Sequence, residues 1–217
     1  MAKTLKQVMV AAMSSFTPLI TVLTILATAV MAASAAIQGA RQEFDPFGAI
    51  VLATVTAVGG GTMRDLLIGA TPVFWLQDMT YLATAVPVGA AAYFLSGKLT
   101  EGFGQRLRLL LYLDAIGLAL FTLVGVQVAL DHNMSVVAAI VLGCLTGVAG
   151  GMIRDMLCGL QPTILKQDLY ATISLVGGAL YILSQKYLTE EVSLGLTFVF
   201  ITAVRCLVIY RRGVKTD

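Results

Sequence analysis

Apolar residues run through this chain in long continuous blocks, with polar residues gathered in short gaps, instead of alternating with the rhythm of a water-facing helix or strand. A membrane-spanning helix needs about 20 mostly apolar residues. The blocks predict seven spans, over 19–40, 47–69, 79–96, 109–130, 135–159, 169–184 and 192–210. The expected fold is an all-α polytopic membrane protein forming a single membrane domain over residues 1–217.

Composition agrees: 58% of residues are hydrophobic, 12% are charged, and the mean hydropathy is +0.90. Little chain is left for a soluble domain. The net charge of +2 is too small for nucleic-acid binding, and the basic residues lie in loops, off any single helical face. The first apolar run follows Lys3 and Lys6 and contains Ala33-Ser34-Ala35, which resembles a cleavage site. No charge separates Lys6 from Arg41, a stretch far longer than a signal-peptide core, so it is read as a retained first helix. Cys144, Cys158 and Cys206 lack metal-ligand spacing and suit apolar packing. His132 stands alone in a short loop.

An internal repeat at an offset of ninety organises the chain. Half the positions from Ala49 to Asp78 are identical to those from Ala139 to Asp168, including Thr56 and Thr146, Arg64-Asp65 and Arg154-Asp155, Gly69 and Gly159, Pro72 and Pro162, and Gln77-Asp78 and Gln167-Asp168. The units are expected over 19–97 and 109–187, with the seventh span, 192–210, outside the repeat. Each unit holds three spans, and three is odd. The second unit must therefore enter the membrane inverted, an arrangement that places transport pathways near a pseudo-twofold axis. Arg41, Lys98, Arg106, Arg108, Lys166, Arg211, Arg212 and Lys215 fall on one side; Lys3, Lys6 and Lys186 fall on the other. The excess predicts a cytoplasmic carboxyl terminus.

The repeat is densest in Gly59-Gly60-Gly61-Thr62-Met63-Arg64-Asp65 and Ala149-Gly150-Gly151-Met152-Ile153-Arg154-Asp155. Each glycine weakens a helix by roughly 1 kcal/mol relative to Ala, so a kink or unwound turn is expected in the second and fifth spans. Freed backbone groups in lipid must then be buried or line a watery path. Close helix packing is the plainer use of the same small residues. Arg64 and Arg154 are costly in a membrane unless paired or hydrated. Neighbours on a helix diverge by about a hundred degrees, so the expected pairs cross the repeat, Arg64 with Asp155 and Arg154 with Asp65. Thr56 and Thr146 stand one turn before the glycines. Ser34, Thr54 and Thr122 are candidate pore-lining hydroxyls, although such groups more often bond their own helix. Asp114 is a candidate cation or proton site, or a cap opening the fourth helix. Gln38 and Gln127 lie near helix ends, and Asp45-Pro46 reads as a helix start.

These residues resemble the trimeric intracellular cation channels and their prokaryotic relatives, some of which are described as glycine uptake proteins. The likeness rests on Gly59 to Asp65, the following Thr71-Pro72-Val73-Phe74-Trp75, and Asp114-Ala115-Ile116-Gly117-Leu118-Ala119-Leu120-Phe121-Thr122, and it covers nearly the whole chain. It implies seven helices, a homotrimer in membrane lipid and an hourglass path in each protomer beside the kinked second and fifth helices. It also implies conduction of a monovalent cation, chiefly K+, with Na+ as the competitor. No resident cofactor or tightly bound metal is implied beyond the permeant ion and a bound lipid. Ala149 departs from the second glycine triplet, and Ala35 stands where prokaryotic members often carry Gly.

Two mechanisms follow. In a channel, carbonyls freed at Gly59 to Gly61 and Gly150 to Gly151, with the Thr56 and Thr146 hydroxyls, replace part of an ion's hydration shell. In a secondary transporter for a small zwitterion such as glycine, half-helix amino termini receive the carboxylate. No nucleophile-base set or metal-ligand cluster lies within the spans, which argues against an enzyme. The expected location is a prokaryotic inner membrane.

Overall fold

The computed structural model describes residues 18–99, 103–166 and 169–213. Lys3, Lys6, Gln167, Asp168 and Lys215 lie outside the described residues. Those residues form α1 (Pro18–Arg41), α2 (Pro46–Ile68), α3 (Phe74–Gln77), α4 (Thr80–Leu99), α5 (Phe103–Asp131), α6 (Val136–Leu157), α7 (Thr163–Lys166), α8 (Tyr170–Ser184) and α9 (Glu190–Gly213). Five of them, α1, α2, α5, α6 and α9, are long and apolar enough to cross a membrane. Two shorter apolar helices, over 80–96 and 170–184, lie where two further spans were expected.

Local chemistry explains where the helices begin and stop. The Asp45 carboxylate accepts the Gly48 amide at 2.7 Å and Pro46 follows, so α2 starts with one free amide satisfied and one removed. Ser135 accepts the Ala138 amide at 3.3 Å and opens α6 in the same way. Gly69 and Gly159 follow these helices with φ of 72° and 66°, the left-handed conformation in which glycine ends a helix without a Cβ clash. Glu43 and Asn133, after α1 and α5, both have φ of 58°. Each of these pairs is separated by ninety residues. The backbone thus repeats special conformations as well as sequence.

The fourth span starts earlier than the apolar block suggested. Helix α5 begins at Phe103, so Asp114 stands about three turns inside it and does not cap its start. Arg106 and Arg108 extend the helix beyond the block because both side chains are good helix formers at an interfacial end.

Helix α1 packs against α2, α4 and α5, and α2 packs against α6. Their common core is rich in alanine: Ala27, Ala32, Ala35, Ala36, Ala53 and Ala57 are buried beside Met31, Leu52 and Phe121. Small side chains let these helices approach closely where hydrocarbon supplies no hydrophobic drive between helices. Large apolar side chains such as Leu67, Val141, Leu183 and Val199 face outward instead. That surface suits lipid.

Candidate functional site at the crossing of α2 and α6

Both glycine segments lie inside unbroken helix. The expected unwound turn is absent, and no carbonyl at Gly59 to Gly61 or Gly150 to Gly151 is released for an ion. The reason lies between the helices. A Cβ on Gly60 would overlap the carbonyl oxygen of Thr146, and a Cβ on Gly150 would stand 2.7 Å from the carbonyl oxygen of Thr56. Residue 60 meets 146 and residue 150 meets 56, so the helices cross antiparallel with their backbones in contact. Tertiary contact offsets the low helix propensity of glycine.

The flanking glycines make room for side chains. A Cβ on Gly61 would fall 2.5 Å from the Phe74 ring, and one on Gly59 would fall 2.6 Å from Ile153 Cδ1. At Gly151 a Cβ would lie 3.2 Å from Asp114 Oδ1. The segment is a packing surface first.

The same crossing overturns the expected cross-repeat ion pairs. Arg64 lies six residues beyond the contact centre and Asp155 lies seven beyond it in the opposite direction, a separation of about 20 Å along the axes. Each arginine pairs with its own neighbour instead. Arg64 donates to Asp65 Oδ1 from Nε at 2.9 Å and from Nη2 at 2.7 Å. Arg154 donates from Nε to Asp155 Oδ1 at 2.9 Å. A long guanidinium can fold back across the divergence that adjacent helical positions impose.

Each aspartate has a second duty. Asp65 Oδ2 accepts the Phe74 amide at 2.8 Å, and Asp155 Oδ2 accepts the Thr163 amide at 2.9 Å and its hydroxyl at 2.8 Å. The Arg-Asp pairs therefore tie the ends of α2 and α6 to the short helices α3 and α7. Phe74 also places its ring 5.7 Å from the Arg64 guanidinium, within reach of a cation–π contact.

Beyond this shared pattern the two ends differ. Arg154 Nη1 donates to Ser34 on α1 at 2.8 Å and to Asp114 on α5 at 2.9 Å. Asp114 Oδ2 accepts the Tyr170 hydroxyl from α8 at 2.6 Å, and the guanidinium of Arg205 on α9 lies 4.4 Å from the Tyr170 ring centre. Ser34, Asp114, Arg154, Tyr170 and Arg205 are all at least 97% buried. One polar network thus links five helices. At the other end Arg64 Nη1 is buried without a hydrogen-bond partner among the described residues.

Ser34 is thus an arginine ligand, and Asp114 is the buried counter-charge of Arg154. The remaining hydroxyls follow the commoner local pattern: Thr54 bonds Ile50 O at 2.9 Å, Thr146 bonds Leu142 O at 2.6 Å, and Thr122 bonds Leu118 O at 2.7 Å. Thr122 also meets Ser174 at 2.6 Å. The Thr56 hydroxyl is buried with no partner among the described residues. Sequence reasoning missed Tyr170 and Arg205. Arg205 had a signal, as the single charge within 192–210; Tyr170 had none.

A cavity of about 330 Å³ opens beside the network, at the carboxyl end of α1. Gln38, Arg41, Arg154, Asp155, Gln161 and Thr163 form its polar wall, with leucines opposite. Arg41 Nη1 donates to Gln38 Oε1 at 2.6 Å. Among the described residues no group of histidine, cysteine, aspartate or glutamate is arranged to hold a metal ion.

A family model described as "Glycine transporter" matches residues 21–97 and 111–186. The fold matches the trimeric intracellular cation channel orthologue from Rhodobacter sphaeroides with a TM-score of 0.84 and 33% identity, over 89% of this chain and 98% of that one. The chain belongs to the trimeric intracellular cation channel family. A second prokaryotic channel of that family, solved in 0.5 M KCl, matches with a TM-score of 0.84 at 26% identity, over 89% and 97% of the two chains. Among curated relatives, a UPF0126 membrane protein of Vibrio cholerae is 42% identical over 164 residues, covering 75% of this chain and 66% of that protein. The inner membrane protein YadS of Escherichia coli is 40% identical over 161 residues, covering 73% and 75%. These family relatives are channels and membrane proteins, not enzymes.

Proposed function

We propose that this protein is a monovalent cation channel that prefers potassium. It works as a homotrimer in a bacterial inner membrane, with one hourglass path through each protomer. Seven spans form it, as two inverted three-helix units over 19–97 and 109–187 and a last span over 192–210, and the second and fifth spans bend at their glycines. The carboxyl terminus is cytoplasmic.

The observation that carries this reading is the state of the arginines. A bare guanidinium beside a narrow path would repel cations by several kcal/mol at low dielectric. Arg64 is matched by Asp65, and Arg154 meets both Asp114 and Asp155. The crossing therefore carries no unbalanced positive charge from its arginines. The cavity supports the same reading, because it brings a polar wall inward as far as Arg154 and Asp155. Since the glycine carbonyls stay in their helices, the ion's lost hydration has to be replaced by water and by side-chain oxygens such as Thr56 Oγ1.

The transporter reading needs half-helix amino termini at the middle of α2 and α6. Both helices are continuous there, so the carboxylate has no such place to bind.

Electrical recording separates the two. Purified protein in planar bilayers is expected to give unitary potassium currents far above the turnover of a carrier, with a reversal potential favouring potassium over sodium. Saturable glycine uptake without unitary events would replace the channel by the carrier. For orientation, His132→Cys is expected to label from outside the cell and Lys215→Cys from the cytoplasm, and cytoplasmic labelling of position 132 would reverse the topology.

A further inference from the structure

The two helix pairs that flank the crossing, α1 with α2 and α5 with α6, are built from positions ninety residues apart, yet they are packed differently. Between α5 and α6 the backbones touch. A Cβ on Gly125 would stand 2.6 Å from Thr146 Oγ1 and 2.8 Å from Gly143 Cα. One on Gly143 would stand 2.7 Å from the Thr122 carbonyl oxygen, and one on Gly147 would stand 3.0 Å from the Leu118 carbonyl oxygen. The corresponding residues between α1 and α2 are Ala35, Ala53 and Ala57, all buried in one core cluster. Each carries the methyl group for which the other pair has no room, so α1 and α2 stand farther apart beside the crossing. Their own close approach is elsewhere: a Cβ on Gly39 would meet Ala49 Cβ at 3.1 Å, and Ala49 lies about 10 Å along α2 from Thr56.

The hydroxyls at the crossing differ in the same sense. Thr146 donates to Leu142 O at 2.6 Å, and the buried Thr24, Thr28 and Thr122 likewise bond the carbonyl four residues back. Thr56 is fully buried, yet its hydroxyl has no partner among the described residues, not even the Leu52 carbonyl. A buried hydroxyl left in that state is unfavourable until something bonds it. Its neighbour from α1 is movable. The terminal methyl of Met31 comes within 3.3 Å of the place a Cβ would take on Gly150, and the Thr56 carbonyl oxygen within 2.7 Å of the same point. Met31 is unbranched with three rotatable bonds, whereas the corresponding Phe121 carries a rigid ring.

We propose that the permeant cation passes the crossing between α1 and α2, where the Thr56 hydroxyl replaces one of its waters and Met31 swings aside. Ala35, with Ala53 and Ala57, is a positioning residue that holds the two helices apart there. The α5–α6 pair stays closed through its glycines. The inference rests on the channel reading and deepens it, since one side of the crossing carries the path. A hydroxyl oxygen suits a monovalent cation because it offers lone pairs without a fixed charge that would hold the ion in place.

Silver ion, a monovalent cation that bonds thiols, probes the path without reliance on currents. Cys144, Cys158 and Cys206 are first replaced by serine. Thr56→Cys and Thr146→Cys are then compared as full-length protein in phosphatidylcholine nanodiscs, in nitrate salts, with the remaining free thiol titrated after denaturation. Thr56→Cys is expected to react at least tenfold faster than Thr146→Cys. Potassium nitrate should slow that reaction where N-methylglucamine nitrate at the same ionic strength does not. Adding Ala35→Gly, which lets α1 settle on α2, should bring the rate at position 56 down toward that at position 146, and Met31→Phe should do the same. Equal rates at the two positions, no reaction at position 56, or a rate there indifferent to Ala35→Gly would overturn the proposal. Thr56→Val gives a second reading with the native cysteines in place. It deletes a hydroxyl without a partner and is expected to hold or raise the thermal midpoint; a fall as large as that of Thr146→Val would also overturn the proposal. Absence of potassium currents beside a fast reaction at position 56 would remove the channel reading and leave the opening at Thr56 in place.

Discussion

The carbonyl oxygen of Thr56 lies 2.7 Å from the place a Cβ would occupy on Gly150, and the repeat-related Thr146 carbonyl blocks a Cβ on Gly60 even more tightly. The two contacts are the same contact seen from the two repeats. They make α2 and α6 touch backbone to backbone, and this crossing decides where every charge in the site can reach.

Gly60→Ala and Gly150→Ala are therefore expected to destabilise the protein by about 1–3 kcal/mol each, because rigid backbone must move to admit a methyl group. Gly104→Ala, with nothing within 4 Å of the added atom, is expected to be neutral or slightly stabilising. Thermal unfolding in detergent reads the difference. Equal midpoints for Gly104→Ala and Gly60→Ala would show that the glycines serve something other than packing.

The buried network at the α6 end predicts unequal arginines. Arg154→Leu strands Asp114 and Asp155 without their cation and is expected to cost about 3–5 kcal/mol. Removing Asp114 as well, in Arg154→Leu with Asp114→Leu, should recover part of that loss. Arg64→Leu strands one carboxylate and should cost less. A double variant no better than the single one, in chemical or thermal unfolding, would show that Asp114 is not the charge that Arg154 balances.

Charge exchange tests the pairing itself. Asp155→Arg should not be rescued by Arg64→Asp, since about 20 Å separates those positions along the crossing helices. Exchange within a neighbouring pair, Arg64→Asp with Asp65→Arg, should restore part of the folded yield on gel filtration. Rescue across the repeat would contradict the antiparallel crossing.

Tyr170→Phe deletes one hydroxyl and leaves the ring beneath Arg205. It is expected to lower stability by about 1–3 kcal/mol, because Asp114 loses a buried donor at 2.6 Å. An unchanged midpoint would mean that water replaces the hydroxyl.

How much of this was legible beforehand depends on the range of the interaction. The long apolar helices and the start of α2 are short-range matters, legible in the apolar blocks and in Asp45-Pro46. The repeat showed in identities such as Thr56 with Thr146. It also singled out the residues of the crossing, because a surface used by both repeat units is copied twice. The cross-repeat ion pairs failed for a geometric reason: antiparallel helices carry equivalent residues to opposite ends. Glycine was assigned to backbone opening when the second helix supplied a use for it as backbone contact. Tyr170 gave no signal, since a tyrosine at a helix start is ordinary until Asp114 is placed beside it.

The sequence by itself determined that the chain spans a membrane, that it is built twice, and that Gly59 to Asp65 and its copy are the parts held in common. Those features are written in hydropathy and self-similarity, which need no third dimension. The tertiary structure alone decided what the glycines touch, and that Arg154 is joined by Ser34 and Asp114, and Asp114 by Tyr170, while Arg64 has no such partners among the described residues. Contacts between residues forty to one hundred and twenty positions apart depend on helix crossing and facing, and no local pattern along a chain encodes those.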